Sequence, residues 1–176
     1  TVQAGAGAVN NNTGRIYKLA PKASATTKVN LAAASDPDLA AAAMSPDIFL
    51  ARNARRILQE KAAPIALPAV KTADAAAELR VLWARHALGI EEKDWAQGAL
   101  VSPHEYVRAW AIQLACEKSN ASPETLQKFA QMAKEDPSPI VRLYLASAAQ
   151  RLTIAQRQPI VEALVTHAED AGDVNL

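Results

Sequence analysis

The chain has 176 residues, with 19 basic and 18 acidic side chains that leave a formal net charge of +1. Near-neutrality provides no long-range field to hold a polyanion or an acidic membrane surface, and no apolar run approaches the about 18 residues that would span a bilayer. Half the residues are apolar but only 5% are aromatic; much of the apolar share is alanine, the best helix former and a poor filler of space.

Thr1 rather than Met opens the sequence and no signal-peptide pattern follows it, so the chain reads as a processed product or a fragment. Residues 1–30 differ from the rest. Gly5, Gly7, Asn10, Asn11, Asn12 and Gly14 make a turn-forming segment. Arg15 to Leu19 then alternates polar and apolar, a strand signal. One strand cannot stand alone, so it either pairs outside the chain or lies along the helical body as an extended arm. Pro21 ends it, and Lys22 to Lys28 reads as a linker.

From Ser35 the pattern is helical. Ser35 or Asp36 caps a first helix running to Met44, and Pro46 breaks it. The next carries Leu50, Ala54, Ile57 and Leu58 on a narrow stripe, with Arg52, Arg55 and Arg56 on its other face. Thr72 or Asp74 starts a longer helix that puts Leu79, Leu82, Trp83 and His86 on one side. Gly89 stands where a C-cap glycine belongs, and a short helix over 91–100 follows. Val107, Trp110, Ala111, Leu114 and Ala115 recur at helical spacing. Ser122 then caps a helix with Pro123 in its first position. Val141, Tyr144, Leu145, Ala148 and Leu152 continue the spacing, and a last helix after Thr153 is expected to turn Val161, Leu164, Val165 and Ala168 inward.

A short phrase recurs at three helix starts: Ser45 to Arg52, Ser102 to Arg108 and Asp136 to Arg142. Its proline stops one helix and starts the next tightly, and its Asp, Ser or His can cap the new helix. The arginine near its end (Arg52, Arg108, Arg142) lies at the edge of the apolar stripe, within reach of carbonyls or carboxylates of a neighbouring repeat. Pro103 and Pro137 are 34 residues apart, about one helix pair. Pro46 and Pro103 are 57 apart, which leaves room for an additional helix. The Pro-x-x-Val-Arg logic closely resembles the HEAT repeat. The resemblance implies an all-α, short HEAT-like α-solenoid (an α-α superhelix, armadillo-like) over residues 31–176, preceded by the arm over 1–30. It also implies that the helices starting near Phe49, His104 and Pro139 line the concave face.

Asn12 to Leu19 (NTGRIYKL) looks like the last strand of a sugar-dehydrogenase-type β-propeller. Asn53 to Glu60, Leu82 to Gly89, Val107 to Leu114 and Asp136 to Arg151 follow in order. Together they resemble the HEAT region of the large planctomycete-type "membrane-bound dehydrogenase", haem-binding proteins, in which a propeller precedes HEAT repeats and a cytochrome c domain carrying CxxCH. The resemblance implies a periplasmic or otherwise extracytoplasmic setting. Cys116 is followed by Glu117, so no CxxCH stands here and no haem or dehydrogenase role transfers to any residue of the chain.

Individual candidates have plain readings. Thr1 lacks the layered sheet an N-terminal nucleophile needs, and Gly5 to Ala8 lacks the strand and helix of a phosphate-binding loop. Cys116 reads as a small buried hydrophobe. His86, His104 and His167 are scattered and form no metal-ligand pair. Trp83 and Trp110 fit apolar stripes and read as core, while Trp95 reads as surface. Glu169, Asp170 and Asp173 read as a solvated helix end rather than a calcium loop. Arg52, Arg55, Arg108 and Arg142 read first as structural bridges between repeats and, alternatively, as contacts on the concave face. Nucleic acid is disfavoured as their ligand by neutrality and sparse aromatics.

The expectation is a non-catalytic interaction or spacer module with no cofactor or metal of its own. Its partners would be proteins or neighbouring domains of the same polypeptide, within a dehydrogenase-like, cytochrome-linked protein. The alternative is an independent adaptor that binds a protein or peptide on its concave face. No clustered acid, base and nucleophile supports an enzyme within this segment.

Overall fold

The computed structural model describes residues 29–61, 67, 74–90, 95–117 and 121–174. The chain divides into two units, residues 1–30 and residues 31–176. Of the first, only Val29 and Asn30 are described. The strand expected over 15–19, the linker over 22–28, Thr1 and the Gly5–Ala8 stretch lie outside the described residues.

Among the described residues the second unit is all-α, with eight α-helices and two single turns of 3₁₀ helix. After a 3₁₀ turn at Leu31–Ala33 come α1 (Asp36–Ala43), α2 (Ile48–Lys61), α3 (Ala75–Ala87) and α4 (Trp95–Leu100). Then follow α5 (Glu105–Ala115), α6 (Pro123–Glu135), α7 (Pro139–Ala149), α8 (Ile154–Leu164) and a 3₁₀ turn at Ala168–Asp170. None of the described helices is long and apolar enough to cross a membrane.

Local chemistry sets most helix ends. The Ser35 hydroxyl accepts from the Asp38 N–H, with Asp36 and Asp38 in the first turn where the helix dipole favours carboxylates. Asp74 accepts from the N–H groups of Ala76 and Ala77 and so starts α3. Ser122 and Ser138 cap α6 and α7, each followed by proline at the first helical position, whose missing N–H costs nothing there. Thr153 and Gln156 form a reciprocal capping box at α8. Gly89 ends α3 at φ +66°. Its N–H bonds back to His86 O at 3.1 Å and that of Ile90 to Arg85 O at 2.9 Å, the paired bonds of a Schellman turn.

Packing alternates along the chain. α1 lies on α2, and α2 meets α3. α3 packs on α5 and α5 on α7, while α4 pairs with α5, α6 with α7, and α8 with both α6 and α7. The larger core joins α4 to α8 through Leu100, Ile112, Phe129, Val141, Leu145 and Ile160. Phe129 is fully enclosed, a burial that stabilises by about 2–3 kcal/mol. A smaller core of Leu39, Ala43, Ala54 and Leu58 joins α1 to α2, where alanines allow close approach. Among the described residues α2, α3 and α4 lie between Pro46 and Pro103, one helix more than the α5 and α6 that lie between Pro103 and Pro137.

The inward face of α8 differs from expectation. Ile160 is buried and Leu164 partly so, whereas Val161 and Val165 are exposed, on the same outer side as Ile154. The helix carries apolar residues on two stripes, and contact with α6 and α7 selects the Ile160 stripe. Trp83 and Trp110 also depart from the core reading, for both are half-buried and face a cavity.

Candidate functional site

Ser102, Thr125, Asp136, Ser138 and Arg142 are the buried polar residues described. All but Thr125 belong to one network at the N-terminal ends of α5 and α7. Arg108 donates from Nε and Nη2 to the two Asp136 oxygens at 2.7 and 2.8 Å, and from Nη1 to the Ser102 carbonyl at 2.9 Å. One period later Arg142 repeats every contact. It donates to Asp170 twice at 2.5 Å and to the Asp136 carbonyl at 3.1 Å. In both cases the aspartate lies 28 residues ahead and the carbonyl six behind. The fork of a guanidinium suits this bidentate geometry, and a lysine would not reproduce it.

The network is closed on itself. Asp136 Oδ1 also accepts from the Ser138 N–H at 3.0 Å, and the Ser138 hydroxyl donates to Glu105 at 2.5 Å. On α3 the position four residues after the cap holds Glu78, where α5 and α7 hold arginine after His104 and Ser138. Polarity reverses there, and the Ser102 hydroxyl donates to Glu78 at 3.1 Å. His104 approaches the same carboxylate at 4.0 Å. The Asp170 carboxyl is held below its usual range, chiefly by the Arg142 hydrogen bond, and Glu169 likewise, chiefly by its hydrogen bond with His167. A network whose donors and acceptors are matched has structural uses and little spare capacity for a ligand.

Arg52 is not part of it. The arginines of the later phrases stand five residues after their prolines, but Arg52 stands six after Pro46, with the buried Ala51 in the fifth place. One extra residue rotates a helical side chain by about 100°. Arg52 is exposed and lines a cavity of about 460 Å³ between α2, α3 and α5. Arg55 and Arg80 line it too, with Trp83, Trp110 and the side chains of Ala51 and Ala87. The Arg55 guanidinium lies 5.8 Å from the centre of the Trp83 ring. Trp83 and Trp110 meet edge to face at 5.1 Å, and Tyr144 on α7 continues the row 6.4 Å beyond Trp110. Arg55 Nη1 and the Trp83 indole N–H are buried and, among the described residues, have no hydrogen-bond acceptor. Of the four arginines singled out in the sequence, the fold thus brings Arg52 and Arg55 to one cavity and puts Arg108 and Arg142 into separate ion pairs.

Other candidates are placed as follows. Cys116 is fully enclosed in the larger core, and burial pushes its thiol above the ordinary value against a smaller opposing pull from Arg151. His86 pairs with Glu117 and lies beside Trp95. His167 donates from Nε2 to the Ala133 carbonyl at 2.8 Å and meets Glu169 through Nδ1 at 2.6 Å. Among the described residues, no three His, Cys, Asp or Glu side chains gather as metal ligands do.

Comparison with family models, with curated protein sequences and with solved structures finds no match.

Three residues of these groupings escaped the sequence reading. Asp170, expected in a solvated helix end, is instead held by Arg142 with its side chain only 14% exposed; it stands 34 residues after Asp136, the period of the prolines. Asp136 was visible as part of the helix-opening phrase but not as the partner of Arg108. Arg80 carried the weakest signal, its place three residues before Trp83 on the same side of α3.

Proposed function

We propose that this segment is a non-catalytic interaction or spacer module built of stacked HEAT-like helix pairs, within a larger extracytoplasmic, cytochrome-linked, dehydrogenase-like protein. The observation that carries the reading is the repetition of one contact set, Arg108–Asp136 and Arg142–Asp170, at one separation and one period. Such repetition is what a stacked array requires, since each unit then meets its neighbour in the same way. Two of the three phrase arginines, Arg108 and Arg142, serve internal pairs, which fits a spacer better than a reaction centre. The parent protein and its location rest on the ordered resemblance of the sequence phrases alone.

A second reading is an independent adaptor that binds a protein or peptide. The half-buried row of Trp83, Trp110 and Tyr144 along α3, α5 and α7 favours it, because aromatic side chains left part-exposed commonly anchor partners.

Sequencing the transcript that encodes the chain separates the two. Propeller strands upstream and a CxxCH motif downstream are expected for the spacer. An open reading frame with neither overturns it and leaves the adaptor.

A further inference from the structure

The cavity between α2, α3 and α5 combines excess positive charge, unmet donors and apolar wall. Leaving a buried donor unpaired costs about 1–3 kcal/mol, and among the described residues Arg55 Nη1 and the Trp83 N–H both lack an acceptor. Burial and the neighbouring charges of Arg52 and Arg80 all work against the Arg55 cation and lower its pKa. Among the described residues no ion pair joins Arg52, Arg55 or Arg80 to a carboxylate. An oxyanion in the cavity would relieve the charge penalty as a counter-charge for the cluster and an acceptor for the Arg55 guanidinium. The remaining wall is aromatic and aliphatic, which a bare inorganic ion would leave unused. The volume, about 460 Å³, falls within the range of small-molecule pockets.

We propose that this cavity binds a small organic oxyanion, a carboxylate or phosphate ester carried on an aromatic body. The head group sits against Arg55 between Arg52 and Arg80, and the body rests on Trp110. The site requires neither the spacer reading nor the adaptor reading, since it depends on α2, α3 and α5 alone.

Calorimetric titration of the full chain tests it with four probes: 1-naphthoate, 1-naphthyl phosphate, the neutral 1-naphthylmethanol and inorganic phosphate. At least one aromatic anion is expected to bind saturably, at least about tenfold tighter than the neutral alcohol or inorganic phosphate, a difference of about 1.4 kcal/mol. Which of the two anions binds identifies the head group. Arg55→Gln should weaken that binding about tenfold or more, as loss of a charge-assisted bond does. Arg56→Gln, on the exposed side of α2 beside Glu60, should leave it unchanged. Should Arg55→Gln fail to fold, Arg80→Gln on α3 is expected to show the same loss. Saturable binding of neither anion overturns the proposal. So does equal affinity for the neutral alcohol or for inorganic phosphate, or unaltered binding in a folded Arg55→Gln or Arg80→Gln protein.

Discussion

Arg108 and Asp136 meet through two parallel hydrogen bonds of 2.7 and 2.8 Å, with the carboxylate only 6% exposed and the guanidinium 13%. Asp136→Ala removes both bonds, together with the acceptor for the Ser138 N–H, and leaves a largely enclosed cation behind. Stability should fall by about 3–5 kcal/mol, the usual consequence of stranding one member of a buried pair. Urea unfolding measures it. In a double-mutant cycle Arg108→Met should recover part of the loss, and strict additivity of the two changes would contradict the pairing.

Acid should dissolve the Arg142–Asp170 pair. The folded-state pKa of Asp170 is depressed, so its stabilising contribution is complete above the ordinary aspartate value of about 3.9 and disappears as pH falls through the depressed one. Glu169 acts in the same direction. Melting temperatures of the wild type and Asp170→Asn should therefore differ by a constant amount at neutral pH and converge in strong acid, below about pH 4. A difference that persists undiminished into strong acid would show that the carboxylate charge is not what Arg142 recognises.

Trp110 touches Trp83 and Tyr144 while facing the cavity. Its truncation should cost less than that of a fully enclosed tryptophan, for which about 3–5 kcal/mol is usual. About 2–3 kcal/mol is expected for Trp110→Ala, including the loss of two aromatic contacts. Denaturant unfolding gives the value, and no measurable change would mean that the aromatic row contributes nothing to α3–α5–α7 packing.

Two glycines should respond oppositely to alanine. At each, an added Cβ meets nothing within 4 Å, so backbone conformation alone decides. Gly89 has φ +66°, and Gly89→Ala should destabilise by about 1–2 kcal/mol. Gly98 lies inside α4 on its exposed side, and Gly98→Ala should stabilise by about 0.5–1 kcal/mol. Thermal melts of the two variants should move in opposite directions.

The helix ends were readable because capping is local. Ser35, Ser122, Thr153 and Gly89 act on backbone groups within a few residues. What the pattern could not choose was which of two apolar stripes a helix turns inward. On α8 the choice depends on α6 and α7, and Val161 and Val165 fell on the wrong side. The same ambiguity affected Trp83 and Trp110, since a side chain facing a cavity and one facing a core occupy the same helical spacing. The ion pairs were half legible. Repeated arginines announced themselves, but their aspartates lie 28 residues away, and only the helix stacking brings them together.

Asp136 has one further consequence. Its carboxylate holds Arg108 while its own carbonyl holds Arg142, so a single residue closes one contact and opens the next. Arg108 on α5 and Arg142 on α7 are thus tied to the same short connection between α6 and α7, and displacing Asp136 loosens both. Amide protons in the two helices should therefore exchange with solvent through one shared opening rather than fraying separately, and the pair forms a cooperative block.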